Sequence, residues 1–126
     1  MGYEIGTFSK LVNISIDTLR YYEKQELIIP KRNSNNRRLY SDQDIHWIDF
    51  IKRLKRTGMP IRDIKRYAKL RYQGNSTIDD RLTLLNEQMT RLKVDKNEIQ
   101  SHIDFLNQKI DTYHQLKAQI KTSKNA

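Results

Sequence analysis

IGTFSKLVNISIDTLRYYEK, the stretch Ile5–Lys24, decides how this chain folds. Ile5, Phe8, Leu11 and Val12 recur at helical spacing and predict a short first helix. Asn13 tolerates the left-handed conformation that ends a helix. Ser15 then offers an N-cap, and Asp17 puts a negative charge in the first turn of a second helix, where the helix dipole favours it. Ile14 and Leu19 stand where a hydrophobic staple would close. Two short helices joined by a three-residue turn form a helix-turn-helix. Structural helix hairpins share this pattern, so a binding role needs support from the flanking sequence.

The flank supplies it. After Leu27-Ile28-Ile29 and Pro30, the run Lys31-Arg32-Asn33-Ser34-Asn35-Asn36-Arg37-Arg38-Leu39-Tyr40 has a polar, Asn-rich centre between apolar ends, which predicts a β-hairpin. It carries four cations and no acid, a basic wing. Ser41, with Asp44 three residues on, caps a third helix, and Tyr40 with Ile45 forms a second staple. That helix runs to about Thr57 on an apolar face of Ile45, Trp47, Ile48, Phe50, Ile51 and Leu54. Gly58 stops it, and Pro60 opens a fourth helix through Ile61, Ile64, Tyr67 and Ala68. Gln73-Gly74-Asn75 divides a head, residues 1–75, from the C-terminal part of the chain.

Beyond the divide, apolar residues fall at Ile78, Leu82, Leu85, Met89, Leu92, Ile99, Ile103, Leu106, Ile110, Tyr113 and Ile120, in steps of four and three. Lys96 and Lys117 fill the gaps. This is a coiled-coil repeat over residues 76–120, with 121–126 expected as a frayed tail. A helix over 78–120 would be about 64 Å long at 1.5 Å per residue. So narrow a stripe needs an equivalent helix to cover it, which predicts a homodimer through Leu82, Leu85, Met89, Leu92, Ile99, Ile103, Leu106 and Ile110. Lys96 in the seam either fixes register or snorkels outward.

Charge sharpens the division. Residues 1–75 hold 16 Lys and Arg against 8 Asp and Glu, and residues 76–126 hold 8 against 7. The net +9 therefore sits almost wholly in the head, as in a polyanion-binding module joined to a neutral pairing element. The sequence contains no cysteine, which excludes disulfides, thiolate metal sites and thiol nucleophiles. His46, His102 and His114 are scattered without metal-ligand spacing, so no metal or cofactor is expected. No apolar run approaches a membrane span and no signal peptide opens the chain, so a cytoplasmic protein is expected.

On the second helix Thr18, Arg20 and Tyr21 are expected outward, with Leu19 and Tyr22 toward the core. Arg can read guanine edges or clamp phosphates, and a Tyr hydroxyl bonds phosphate oxygens. The alternative is that the two tyrosines pack and Arg20 is a surface charge. Arg37, Arg38 and Tyr40 form either a solvated loop or a wing that straddles neighbouring phosphates. Lys52, Arg53, Lys55 and Arg56 are expected on a solvated face, and Trp47 in the core. His46 and Asp49 are three residues apart on one helix, yet they lack a third partner or phosphate loop, so no enzyme is expected.

Ile5-Gly6-Thr7-Phe8-Ser9-Lys10, Thr18-Leu19-Arg20-Tyr21-Tyr22-Glu23, Arg38-Leu39-Tyr40-Ser41 with Asp44, and Ile51-Lys52-Arg53-Leu54 leading to Gly58-Met59 together resemble the MerR-type transcriptional regulators. The resemblance implies a mainly α fold, with a winged helix-turn-helix DNA-binding head followed by a long dimerisation helix in an antiparallel coiled coil. It further implies a homodimer on a pseudo-palindromic operator in double-stranded promoter DNA, bending and untwisting it for RNA polymerase. By matched position, Thr18, Arg20 and Tyr21 should touch DNA from the helix and Arg38 and Tyr40 from the wing, with Arg37 beside them a further DNA-binding candidate. Thr57-Gly58-Met59 and the short coil resemble the aldehyde- and electrophile-responsive branch, although this chain reads Lys52-Arg53-Leu54 where many of that branch carry a cysteine. Where the family's wing usually has Gly, this chain has Asn36-Arg37. The remaining alternative is an architectural or scaffold protein that binds nucleic acid without sequence preference. The effector, the operator and the sign of regulation are not written in the sequence.

Overall fold

The computed structural model describes the backbone of residues 2–125 and the side chains of residues 2–122. Its elements run α1 (Ile5–Val12), α2 (Ile16–Lys24), β1 (Lys31–Arg32), β2 (Arg38–Leu39), α3 (Asp42–Arg56), α4 (Ile61–Tyr72), a single 3-10 turn (Asn75–Thr77) and α5 (Ile78–Asn125). The local signals set these boundaries. Asn13 takes φ 55° after α1, Ser15 Oγ accepts the Thr18 amide at the start of α2, and Ser41 and Asp44 close a reciprocal capping box on α3. Gly58, at φ 85°, turns the chain from α3 to α4 in the left-handed region that glycine tolerates best.

The core lies where α1, α2, α3 and α4 meet. Phe8, Leu19, Leu27, Ile28, Ile48 and Ile51 are fully buried there, and Trp47 donates its indole N–H to the Leu27 carbonyl at 2.7 Å. β1 and β2 pair antiparallel, Lys31 opposite Leu39 and Arg32 opposite Arg38. Tyr3 and Tyr40 exchange backbone hydrogen bonds of 2.7 and 2.8 Å, so the N-terminal segment lies along the wing. Here close approach constrains Gly2, since a Cβ would meet Leu39 Cβ at 2.7 Å.

Two compact units divide the chain, the first ending at Gln88 and the second starting at Met89. The head thus extends past the expected boundary at residue 75. Leu84 is buried in the core, Leu85 packs against it, and Gln88 donates to the Thr57 carbonyl at 2.8 Å. Leu85, expected in the dimer seam, is therefore engaged in the head. The reason is register: the first three turns of α5 meet the head before their heptad positions can meet another helix. In the second unit every residue with a described side chain is exposed, including Ile99, Ile103, Leu106 and Ile110. The frayed tail expected at 121–126 is instead helical through Asn125, a stretch without Gly or Pro, and Ala126 lies outside the described residues. No described helix is long and apolar enough to cross a membrane.

Candidate nucleic-acid interface

The helix-turn-helix presents α2 by burying one side of it. Leu19 and Tyr22 face the core, while Arg20, Tyr21 and Lys24 are exposed and Thr18 is half-buried beside its cap. Arg20 approaches Asp17 at 3.9 Å, an exposed pair of the kind that contributes little and yields readily to a stronger anion. The Tyr21 ring lies 6.3 Å from that of Tyr22 and is 49% exposed, so its hydroxyl is free to reach an incoming surface.

The wing is built around its asparagines. Asn33 Oδ1 accepts the amides of Asn35 at 2.9 Å and Arg37 at 3.0 Å, and Asn36 takes φ 62°. Asn36 thus supplies a left-handed residue at the tip of the wing, since Asn visits this region more readily than other side chains. Arg37 stands exposed with only a 3.7 Å approach to Glu4.

Glu23 joins the two basic surfaces. Its Oε1 accepts from Arg32 at 3.3 Å and its Oε2 from Arg38 Nε, so one carboxylate on α2 holds both wing strands. Ion-paired hydrogen bonds are roughly twice as strong as neutral ones. Arg32 also donates from Nη1 to the Asn36 carbonyl at 3.0 Å, both arginine side chains stay partly exposed, and α2 and the wing are joined into one cationic surface.

Thr18, Arg20 and Tyr21 lie on α2 and Arg37 and Arg38 in the wing, with Glu23 tying Arg38 to α2. Tyr40 does not join this surface. Its ring is fully buried and stacked on Phe8 with centroids 4.2 Å apart, and its hydroxyl has no hydrogen-bond partner. Ile45 packs against the core that holds Tyr40, and a hydroxyl enclosed by that core has no path to a phosphate. Burial, and next the charge of Glu23, push the Tyr40 phenol up to about 12.

Several roles are invisible to sequence spacing. Glu23 belongs to the helix motif, but nothing in that motif marks it as the clamp. Tyr3 donates its hydroxyl to Asp42 at 2.6 Å, tying the N-terminal segment to α3, and this carboxylate raises the Tyr3 phenol above its ordinary value. Lys52 leaves its expected solvated face and donates to the Val12 carbonyl at 2.8 Å, capping α1, where a cation also suits the helix dipole. A basic residue among the apolar ones of α3 is the available signal for Lys52. Among the described residues no three His, Asp or Glu side chains cluster as metal ligands.

Comparison with known proteins agrees with this geometry. Residues 3–70 match the MerR HTH family of regulatory proteins, and residues 45–101 match the MerR DNA-binding family. A HTH-type transcriptional regulator of Haemophilus influenzae is 34% identical over 94% of this chain and 88% of its own length. The crystal structure of HiNmlR, a MerR family regulator lacking the sensor domain and bound to promoter DNA, superposes with a TM-score of 0.71, 34% identity and 94% coverage of each chain. A MerR family structure from Listeria monocytogenes gives a TM-score of 0.74 at 33% identity, covering 96% of this chain and 94% of the other. The cationic helix-and-wing surface, the long C-terminal helix and these similarities coincide: this chain belongs to the MerR family of helix-turn-helix, DNA-binding transcriptional regulators.

Proposed function

We propose that this regulator works as a homodimer in the cytoplasm, without catalysis of its own, on a pseudo-palindromic operator in promoter DNA. Thr18, Arg20 and Tyr21 enter the groove from α2, while Arg37 and Arg38 hold the flanking phosphates from the wing. The carrying observation is the Glu23 clamp, which fixes these two surfaces at one spacing. Residues 1–88 form the reading head. The exposed row Met89, Leu92, Ile99, Ile103, Leu106 and Ile110, with Leu82 at its base, pairs antiparallel with the same row of a second chain. Two rigidly spaced heads can then impose their spacing on the DNA, and a bend or twist of a few kcal/mol is offset by the contacts it allows. RNA polymerase reads the realigned promoter. Since the sequence has no cysteine, its switch is not a thiol.

The test is selection of bound sequences from random DNA, followed by footprinting. A symmetric two-half-site footprint with a specificity ratio of at least about a thousandfold supports the reading. Binding that is uniform across sequences would leave an architectural protein in its place. Arg37→Ala should lower the log–log salt slope by about 0.9 per protomer while leaving the preferred sequence unchanged.

A further inference from the structure

Between α3, α4 and the first turns of α5 lies a hollow of about 490 Å³, lined by Gln43, His46, Trp47, Phe50, Tyr67, Arg71 and Arg81. This is within the ordinary range for a small-molecule site. Its floor is an aromatic cluster. The Trp47 ring stacks with Phe50 at 5.9 Å and with Tyr67 at 6.0 Å, and Phe50 and Tyr67 meet at 5.4 Å. Two arginines line the hollow and no carboxylate does. Arg71 Cζ sits 4.3 Å from the Trp47 ring centroid, with its charge on the π face.

Arg81 is the unusual member. Its Nη2 donates to the Gly74 carbonyl at 3.3 Å, but its Nε–H is buried without a hydrogen-bond partner. That N–H is closed to solvent and so to a ligand, and what Arg81 contributes to the hollow is the charge of its guanidinium. The hollow thus offers an aromatic floor and two positive charges.

We propose that this hollow is the effector site and takes a small planar aromatic carboxylate. The ring lies on the Phe50–Tyr67 side of the floor, and the carboxylate pairs with the guanidiniums of Arg71 and Arg81 that line the hollow. Such a ligand connects α3 and α4 to the root of α5, where Leu84 and Gln88 also fasten to the head. Its occupancy therefore biases the setting of that root. The effector role rests on the regulatory function proposed above, but ligand binding itself does not.

Trp47 is the single tryptophan, so its indole N–H gives one isolated signal in a proton–nitrogen correlation spectrum. The experiment titrates the full-length protein with cinnamate, and with cinnamamide as the neutral isostere. Cinnamate should shift the Trp47 signal saturably, and cinnamamide should bind at least about tenfold more weakly. Arg81→Gln should weaken cinnamate by about tenfold or more, and Arg71→Gln, at the open rim, should do so independently of any folding defect in the first variant. Both variants should keep wild-type operator affinity in the absence of ligand. No saturable shift would overturn the proposal, whether the site is unsuited to the anion or a second copy covers it. Equal binding of cinnamamide, or unchanged binding by both variants, would overturn it too. If cinnamate binds as expected but selection finds no operator, the regulatory reading fails and the small-molecule site stands.

Discussion

The head and the coil of this protein are both helical, but they use apolar residues in opposite ways. In the head, Phe8, Leu19, Ile48 and Ile51 are wholly enclosed by their own chain, whereas Ile99, Ile103, Leu106 and Ile110 of the coil are 44–58% exposed. The head supplies its own burial, at about 1.5–3 kcal/mol for each large apolar side chain. The coil holds a comparable row of side chains and nothing in its own unit to cover them. Folding of the head is thus a property of one chain, and burial in the coil is a property of two. Specificity and pairing are consequently separable, so each can be broken alone.

The largest effect should come from the coil. Ile103→Asp places a charge in the apolar seam, where an unpaired buried charge costs about 3–5 kcal/mol in each protomer. Sedimentation should find monomer at micromolar concentration, while the near-ultraviolet dichroism from Trp47 stays native. A two-headed operator should then bind about a hundredfold more weakly or worse, because the second head no longer acts at high effective concentration.

A smaller effect, of a different kind, should follow Glu23→Gln in the head. Arg32 and Arg38 lose their common carboxylate and the wing loses its spacing from α2. The dimer should persist and nonspecific affinity should hold or rise, since a negative charge has gone. The ratio of operator to nonspecific affinity should fall about tenfold, the scale of one poorly matched base contact. An unchanged ratio would show that α2 and the wing bind independently.

These two variants also mark how far the sequence alone could go. Caps and turns are local: Asn13, Ser15, the Ser41–Asp44 pair and Gly58 lie within a few residues of what they terminate, and the structure has each where the sequence put it. The exposed face of α2 was legible for the same reason, through helical spacing. Glu23 with Arg38, Lys52 with the Val12 carbonyl, and Tyr3 with Asp42 join residues 15, 40 and 39 apart, and no periodicity reports such partners. The reach of the first compact unit to Gln88 was hidden by a similar cause. Leu84 lies off the heptad stripe, and its burial against the head appears only once α3, α4 and α5 are assembled. Tyr40 had two sequence roles, staple and DNA contact, and packing against Phe8 took the residue.

The smallest effect concerns Tyr40. Its phenol is raised from 10.0 to about 12 in the folded chain, so the folded state holds that proton more tightly than the unfolded one. The associated stability is present below the unfolded value and is lost as pH rises through the interval up to the folded one. Tyr40→Phe removes the orphan hydroxyl and should raise stability at neutral pH by about 1 kcal/mol. It should also flatten the alkaline loss of stability in urea titrations, leaving the part due to Tyr3 and Tyr72, whose phenols are raised as well. Operator affinity should not change. A marked loss of affinity would return Tyr40 to the interface.

The account rests on a head that folds alone and a coil that requires a second chain. Sedimentation equilibrium of the full chain beside a chain ending at Gln88 tests this most directly, because the cut retains Leu84 and Gln88 and removes only the second unit. The account predicts a dimer for the full chain and, for the shorter one, a monomer with native Trp47 dichroism. A shorter chain that stays dimeric, or a full chain that sediments as a monomer, would contradict it.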